Sequence, residues 1–316
     1  MTNVLEVNGL RTFYRADGGY VKAVDDVSFP LGEGEALGLA GESGCGKTTA
    51  ALSIMRLLPS NANIMGGEVL YRGKDIVKMS DKRLRGIRWK EISIVFQGAM
   101  NALNPVKRII DQIAEPILLH EKISKEDAIR QAERLVELVG IDSARARDYP
   151  HEFSGGMRQR VMIAMALACS PRLVILDEPT TALDVMTKTQ IQQLVKDLQK
   201  KLTLSSILIT HDLSVIAETC DTVAIMYGGK IVEYADVVSI FEKPFHPYTS
   251  GLIKAFPNIY GVRELPASIP GSPPDLLHPP EGCRFAPRCP IADKECSESP
   301  PGRTDKGNHY VACWKR

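Results

Sequence analysis

Ala36-Leu37-Gly38-Leu39-Ala40-Gly41-Glu42-Ser43-Gly44-Cys45-Gly46-Lys47-Thr48 is the stretch that decides the fold, an apolar run passing into the spacing G-x-x-x-x-G-K-T. Residues Thr49 to Leu58 suit a helix that Pro59 would stop, so the order is strand, glycine-rich loop, helix. That context gives the spacing its chemistry. Glycines let successive backbone N–H groups turn toward phosphate oxygens, Lys47 can reach the β- and γ-phosphates, and the Thr48 hydroxyl can ligate Mg²⁺. The expected cradle comprises Gly41, Ser43, Gly44, Cys45, Gly46, Lys47, Thr48 and Thr49, and its expected ligand is a nucleoside triphosphate.

A chain of 316 residues has room for one large or two modest domains. Its 39 basic and 38 acidic residues leave a formal net charge of +1, which gives no electrostatic footprint for DNA or RNA. No apolar run reaches the roughly 18 residues of a membrane span, and Met1 to Val7 lacks a signal-peptide layout, so a cytosolic chain is expected. Of the seven cysteines, Cys45, Cys169 and Cys220 lie singly in regular-looking segments, where a buried thiol is the default.

Before the loop, Val4 to Arg11 and Val24 to Leu31 are expected strands, with Thr12 to Gly19 a polar loop between them. After it, two short strands with a Gly73-Lys74 turn are expected in Gly66 to Val77, and Ile92 to Phe96 is an apolar strand ending on Gln97. Lys107 to Gly140 has helical spacing, with Ser124 and Asp127 as a cap. In Phe153-Ser154-Gly155-Gly156-Met157-Arg158-Gln159-Arg160 a hydroxyl and two glycines precede a helix-like run, an arrangement that can receive an anion or simply cap a helix. Leu173 to Leu176 has the continuous apolar character of a buried parallel strand, and it ends on two adjacent carboxylates, Asp177 and Glu178. There Asp177 would hold Mg²⁺ and Glu178 would orient the attacking water. Pro179-Thr180-Thr181-Ala182-Leu183-Asp184 follows, then a helix over Thr187 to Lys201, a strand over Ser206 to Ile209, Thr210-His211-Asp212, and a closing hairpin over Asp221 to Tyr234.

From Val4 to Tyr234 these motifs, in this order, resemble ABC-type ATPases. The resemblance implies an α/β P-loop NTPase fold with a RecA-like core, an antiparallel β subdomain and a helical subdomain at about residues 98–158. It implies ATP and Mg²⁺ as ligands, with Tyr14 stacking on adenine (Tyr20 is the rival) and Gln97 reaching Mg²⁺ and the attacking water. It further implies that His211 contacts the γ-phosphate, and that Ser154, Gly155, Gly156 and Asp184 serve the nucleotide of a facing subunit. A single copy of the signature therefore implies a partner. More narrowly, the loop Phe96 to Pro105, the signature with Met157 where most relatives have Gln, and Lys243-Pro244-Phe245-His246-Pro247-Tyr248-Thr249-Ser250-Gly251-Leu252 resemble one ATPase subunit of dipeptide and oligopeptide importers.

The domains expected are a nucleotide-binding domain over residues 1–240 and an appendage over 241–316. Eleven of the 20 prolines fall between Pro257 and Pro301, which forbids long helices and central strands there. Cys283, Cys289, Cys296 and Cys313 match the ligand count of a four-iron four-sulfur cluster or a zinc site, and the intervals of five, six and sixteen residues suit the larger cluster better. Some members of the resembled family carry such a cluster at this motif. The implied partners are a second, similar ATPase subunit (or a second copy of this chain), two membrane permeases and, indirectly, an extracytoplasmic peptide-binding protein, at the inner face of the plasma membrane. Nickel or another small solute as cargo, a soluble ABC ATPase uncoupled from transport, and a metal or redox sensor are the alternatives.

Overall fold

A computed structural model describes residues 2–98, 102–255 and 268–316. In chain order the strands and helices are β1 (Asn3–Ala16), β2 (Gly19–Gly32), β3 (Ala36–Ala40), α1 (Lys47–Met55), β4 (Ala62–Tyr71), β5 (Lys74–Asp75), α2 (Asp81–Arg85) and β6 (Ile92–Val95). There follow α3 (Ile109–His120), α4 (Lys125–Leu138), α5 (Gly155–Ala166), β7 (Leu173–Asp177), α6 (Val185–Leu202), β8 (Ser205–Ile209), α7 (Leu213–Thr219), β9 (Thr222–Tyr227) and β10 (Lys230–Asp236). The C-terminal part adds α8 (Val237–Glu242), α9 (Pro247–Ala255), α10 (Lys294–Glu298), β11 (Thr304–Asp305) and β12 (Tyr310–Val311). The chain divides into two compact units, residues 1–77 with 209–316, and residues 78–208.

In the first unit β1 pairs antiparallel with β2 and β4, and β4 with β5, giving the order β2-β1-β4-β5. The expected loop over Thr12 to Gly19 is corrected here: strand β1 continues to Ala16 and only Asp17 and Gly18 turn. The polar residues misled because strand pairing on both flanks satisfies the backbone whatever the side chains are. Thr12 pairs with Val24 and Ile64, and its buried hydroxyl shares a 2.7 Å hydrogen bond with Ser53 on α1. A second run of strands has the order β11-β12-β10-β9-β3, with β3 parallel to β9 and the other neighbours antiparallel. Every residue of β3 is buried, as its apolar sequence requires.

The proline-rich tail forms no long element among its described residues: α10 has five residues and β11 and β12 two each. Between Val237 and Ala255 there are two helices, because Asp236 caps α8 through Ser239 and Pro247 opens α9. Pro257 and Pro266 lie outside the described residues.

In the second unit the strand order is β8-β7-β6, with β6 and β7 parallel. The helical stretch expected over Lys107 to Gly140 is two helices broken between His120 and Lys125, and the Ser124 hydroxyl accepts the Asp127 N–H at 3.0 Å to start the second. Helices α3, α4 and α5 pack on one another, and α5 also packs on α6.

Candidate functional site

In the first unit the turn from β3 into α1 builds the phosphate loop. Gly46 is the N-cap of α1 with φ 107°, and a Cβ there would lie 2.0 Å from the Ala23 carbonyl oxygen, so only glycine fits. Gly44 also has positive φ, but a Cβ on it would meet nothing within 4 Å. One flank of the loop is thus pressed onto the strands and the other opens outward, where Ser43, Gly44 and Thr48 are exposed. Cys45 is buried, and that burial pushes its thiol pKa up. The Lys47 ammonium is buried across the loop and donates to the carbonyls of Gly41 (2.7 Å) and Glu42 (3.0 Å). Its charge therefore lies over the open turn where an anion would sit, at the positive end of α1. The Tyr14 hydroxyl, at the end of β1, lies 3.2 Å from the Thr49 hydroxyl, while Tyr20 is exposed across the hairpin. His211 is exposed just after β8, where the buried Thr210 donates its N–H to the Leu39 carbonyl at 3.3 Å.

The second unit carries the acidic pair. Asp177 closes β7 at 1% exposure, a hard oxygen ligand of the kind Mg²⁺ takes. Glu178 follows with φ 50°, a left-handed conformation a glutamate rarely adopts, and Thr181 donates its hydroxyl to the Glu178 carboxylate at 2.7 Å. Gln97 is exposed immediately after β6, and Ala99, Met100 and Asn101 of the loop that follows it lie outside the described residues. Ser154 is the N-cap of α5 and accepts the Met157 N–H at 3.3 Å, so the capping alternative is realised whatever else the motif does. Gly155 and Gly156 form the first turn, and a Cβ on Gly156 would come within 2.3 Å of Thr187 Cγ2. Thr187 in turn donates its N–H and hydroxyl to Asp184, the N-cap of α6, which holds the Asp184 carboxyl below its usual range. The first turn of the signature thus packs closely on Thr187 at the start of α6, and Val185 and Met186 beside it are largely exposed.

The tail supplies residues that motif spacing did not mark. Arg288, with a side chain only 5% exposed, forms a two-pronged ion pair with Glu42 of the phosphate loop at 2.7 and 3.0 Å. The Glu42 N–H donates to the Tyr248 hydroxyl at 2.9 Å. Arg284 reaches Asp25 and the Gly228 carbonyl. The glutamate at the loop's second position is the one local signal, since a part-buried carboxylate favours a cationic partner; nothing in the sequence says which.

The four-thiolate site is not supported. The Cys283 N–H donates to the Cys296 carbonyl at 2.7 Å, and burial pushes the Cys283, Cys289 and Cys313 thiols up, with a smaller contribution from neighbouring Cys296. Yet among the described residues no three His, Cys, Asp or Glu side chains are gathered to hold a metal ion. Apolar packing orders this stretch: Phe285 is buried against Tyr227 and Tyr248 at ring separations of 5.2 and 5.4 Å, and Cys283 and Cys289 pack on the same cluster.

Two family descriptions match the chain, "ABC transporter" over residues 24–181 and "Oligopeptide/dipeptide transporter, C-terminal region" over residues 232–296. The chain belongs to the ABC transporter family, as an ATP-binding subunit with the fold of a P-loop ATPase. Among its relatives are the dipeptide transport ATP-binding protein DppD of Bacillus subtilis, 47% identical over 99% of this chain and 95% of that protein, and the oligopeptide transport ATP-binding protein OppD of the same organism, 49% identical over 99% and 89%. OppD of Salmonella typhimurium is 44% identical over 99% of this chain and 93% of its own. Among solved structures, the ATP-binding cassette MJ0796, a dimer bound to ADP and Pi, superposes with a TM-score of 0.66 at 26% identity, covering 74% of this chain and 98% of the other.

Proposed function

We propose that this chain is the ATP-hydrolysing subunit that powers an ABC importer of dipeptides or oligopeptides. The observation that carries the reading is a phosphate loop and an acidic strand end on a chain that also bears the oligopeptide/dipeptide transporter C-terminal region, with full-length relatives whose names specify peptide transport. In this reading Tyr14 stacks on adenine, the loop from Gly41 to Thr49 holds the phosphates with Lys47 over them, and Glu178 and His211 serve the attacking water and the γ-phosphate. Thr48, Gln97 and Asp177 are the oxygen donors that would hold Mg²⁺, which when bound neutralises phosphate charge. Ser154, Gly155, Gly156 and Asp184 serve the nucleotide of a facing ATPase subunit. Among the described residues no helix is long and apolar enough to cross a membrane. Attachment to the cytoplasmic face therefore falls to contacts with two permease subunits. The nucleotide-binding domain spans 1–240, with the transporter-type C-terminal region after it.

Deleting this chain from cells should abolish peptide uptake, and affinity purification should bring down two polytopic membrane proteins and a second ATPase subunit. The isolated chain should bind ATP but hydrolyse it slowly until that second subunit is added. Normal peptide uptake in the deleted cells overturns the cargo assignment, and fast turnover independent of concentration overturns the assembly.

The finer reading of Cys283, Cys289, Cys296 and Cys313 as an iron–sulfur site, or a zinc site, rests on their number and spacing in the sequence alone. Anaerobically purified protein should then contain iron and sulfide in equal amounts, or one zinc per chain. Metal-free protein with a folded tail overturns it.

A further inference from the structure

The phosphate loop is held from behind by the tail, and the first set of contacts converges on Glu42. Its carboxylate takes both prongs of Arg288, its N–H goes to Tyr248, and its carbonyl receives Lys47 at 3.0 Å and the Cys45 N–H at 3.3 Å. Arg288 is itself fixed. Its Nε donates to the Pro270 carbonyl at 2.8 Å, one prong also reaches the Tyr227 hydroxyl at 3.2 Å, and the guanidinium lies over the Tyr227 ring at 5.7 Å. Tyr248 is fully buried against the same ring, centroids 4.5 Å apart. A second strut serves the other end of the loop. Arg284 grips the Gly228 carbonyl, and the next residue, Gly229, donates its N–H to the Cys45 carbonyl at 2.9 Å. Both arginines belong to the seven residues from Cys283 to Cys289.

We propose that Arg288, seconded by Tyr248, is a positioning residue for ATP binding, through which the C-terminal tail sets the order and the charge of the phosphate loop. The proposal rests on the reading of that loop as the ATP site. A glycine-rich turn loses much conformational freedom when its N–H groups converge on phosphate, and bracing it beforehand removes that cost from binding. The second effect is electrostatic. Glu42 places a carboxylate inside a loop meant for a polyanion, and a buried guanidinium with matching fork geometry neutralises it. Without Arg288 the same carboxylate would repel the triphosphate at short range and low dielectric.

The test is ATP·Mg titration of the full chain by calorimetry, with the unfolding temperature measured in parallel. Arg288→Met should weaken ATP binding by about tenfold or more, since it leaves the part-buried Glu42 carboxylate unpaired within the loop. Arg288→Lys, which keeps the charge but loses the fork, should weaken it by about threefold at nearly unchanged unfolding temperature. Arg288→Met combined with Glu42→Gln should bind more tightly than Arg288→Met alone, a recovery that a merely structural role for the tail does not produce. Tyr310→Phe, which removes the 2.9 Å bond to the Ile231 carbonyl elsewhere in the tail, should lower the unfolding temperature and leave ATP affinity unchanged. Equal affinity of Arg288→Met and the unmodified chain, or a double variant weaker than the single, overturns the proposal. Should Arg288→Met not fold, Arg288→Lys decides, and affinity equal to the unmodified chain's overturns it. If the unmodified chain binds no ATP at all, the nucleotide reading fails first.

Discussion

The phosphate loop and the signature are both short glycine-bearing turns at the start of a helix, and they are held in opposite ways. Around Gly46 the strands leave no room for a single added carbon, and the tail fastens Glu42 from the far side, so the turn is preformed within its own chain. The signature is fastened at its base, where Arg158 donates to the Phe153 carbonyl at 2.8 Å and Arg160 to the Val139 carbonyl at 2.8 Å. Its tip is Ser154, exposed, with Met157 N–H as its capping partner and the largely exposed Val185 and Met186 nearby in sequence after Asp184. The phosphate loop is thus built inward, whereas the signature is anchored at its root and presents a polar tip outward, as its proposed role at a facing subunit's nucleotide would require.

The largest test of this contrast is chemical. Glu178→Gln should leave ATP binding at the phosphate loop intact and lower turnover by about 10²–10³-fold, because an amide cannot polarise water as a carboxylate does. Steady-state hydrolysis beside ATP titration checks it, and near-normal turnover removes Glu178 from the mechanism. Next, the two glycines should differ in how they fail. Gly46→Ala forces a carbon against backbone and should cost about 3 kcal/mol and ATP binding together. Gly156→Ala forces one against the Thr187 methyl and should cost about 1 kcal/mol, relieved by adding Thr187→Ser, with ATP binding by the isolated chain unaffected. Equal losses in thermal unfolding, or no relief, would erase the distinction between the two turns. Just below neutral pH the smallest effect comes from the tail that braces the loop. Burial lowers the His246 pKa from 6.5 to about 3, so below pH 6.5 the unfolded chain takes up a proton the folded one refuses. The stability from this source is complete above about 6.5 and is lost as pH falls from there toward 3. In His246→Asn that part of the slope should vanish, as read from unfolding midpoints across the window.

Much of this was legible because each motif is short and its chemistry local. Lys47, Asp177 and Glu178 could be read from the residues beside them, and all five residues of β7 are indeed buried. The strand over Thr12 to Ala16 was not read because its own side chains lack an apolar alternation; its order comes from pairing with the first residues of β2, directly after the Asp17-Gly18 turn, and with the first residues of β4. Nor was the brace: Glu42 and Arg288 are 246 positions apart, and an arginine between two cysteines draws the eye to the cysteines. Their number and spacing suggested a metal, and side-chain packing is not visible in spacing: Phe285 and Tyr248 give the tail an apolar core shared with the first unit's strands.

The last strand of the chain has a consequence for handling the protein. Tyr310 and Val311 pair with Tyr234 and Glu233, so that β12 occupies the flank of β10 that would otherwise present unpaired N–H and C=O groups, and β11 outside it is two residues long with an aspartate. A long, apolar strand left open at a sheet's border is a template for another chain, and a very short charged one is not. Fragments trimmed before residue 304 would lose this guard and expose β10, four of whose seven residues are buried in the intact chain. Such fragments should come out of expression as aggregates.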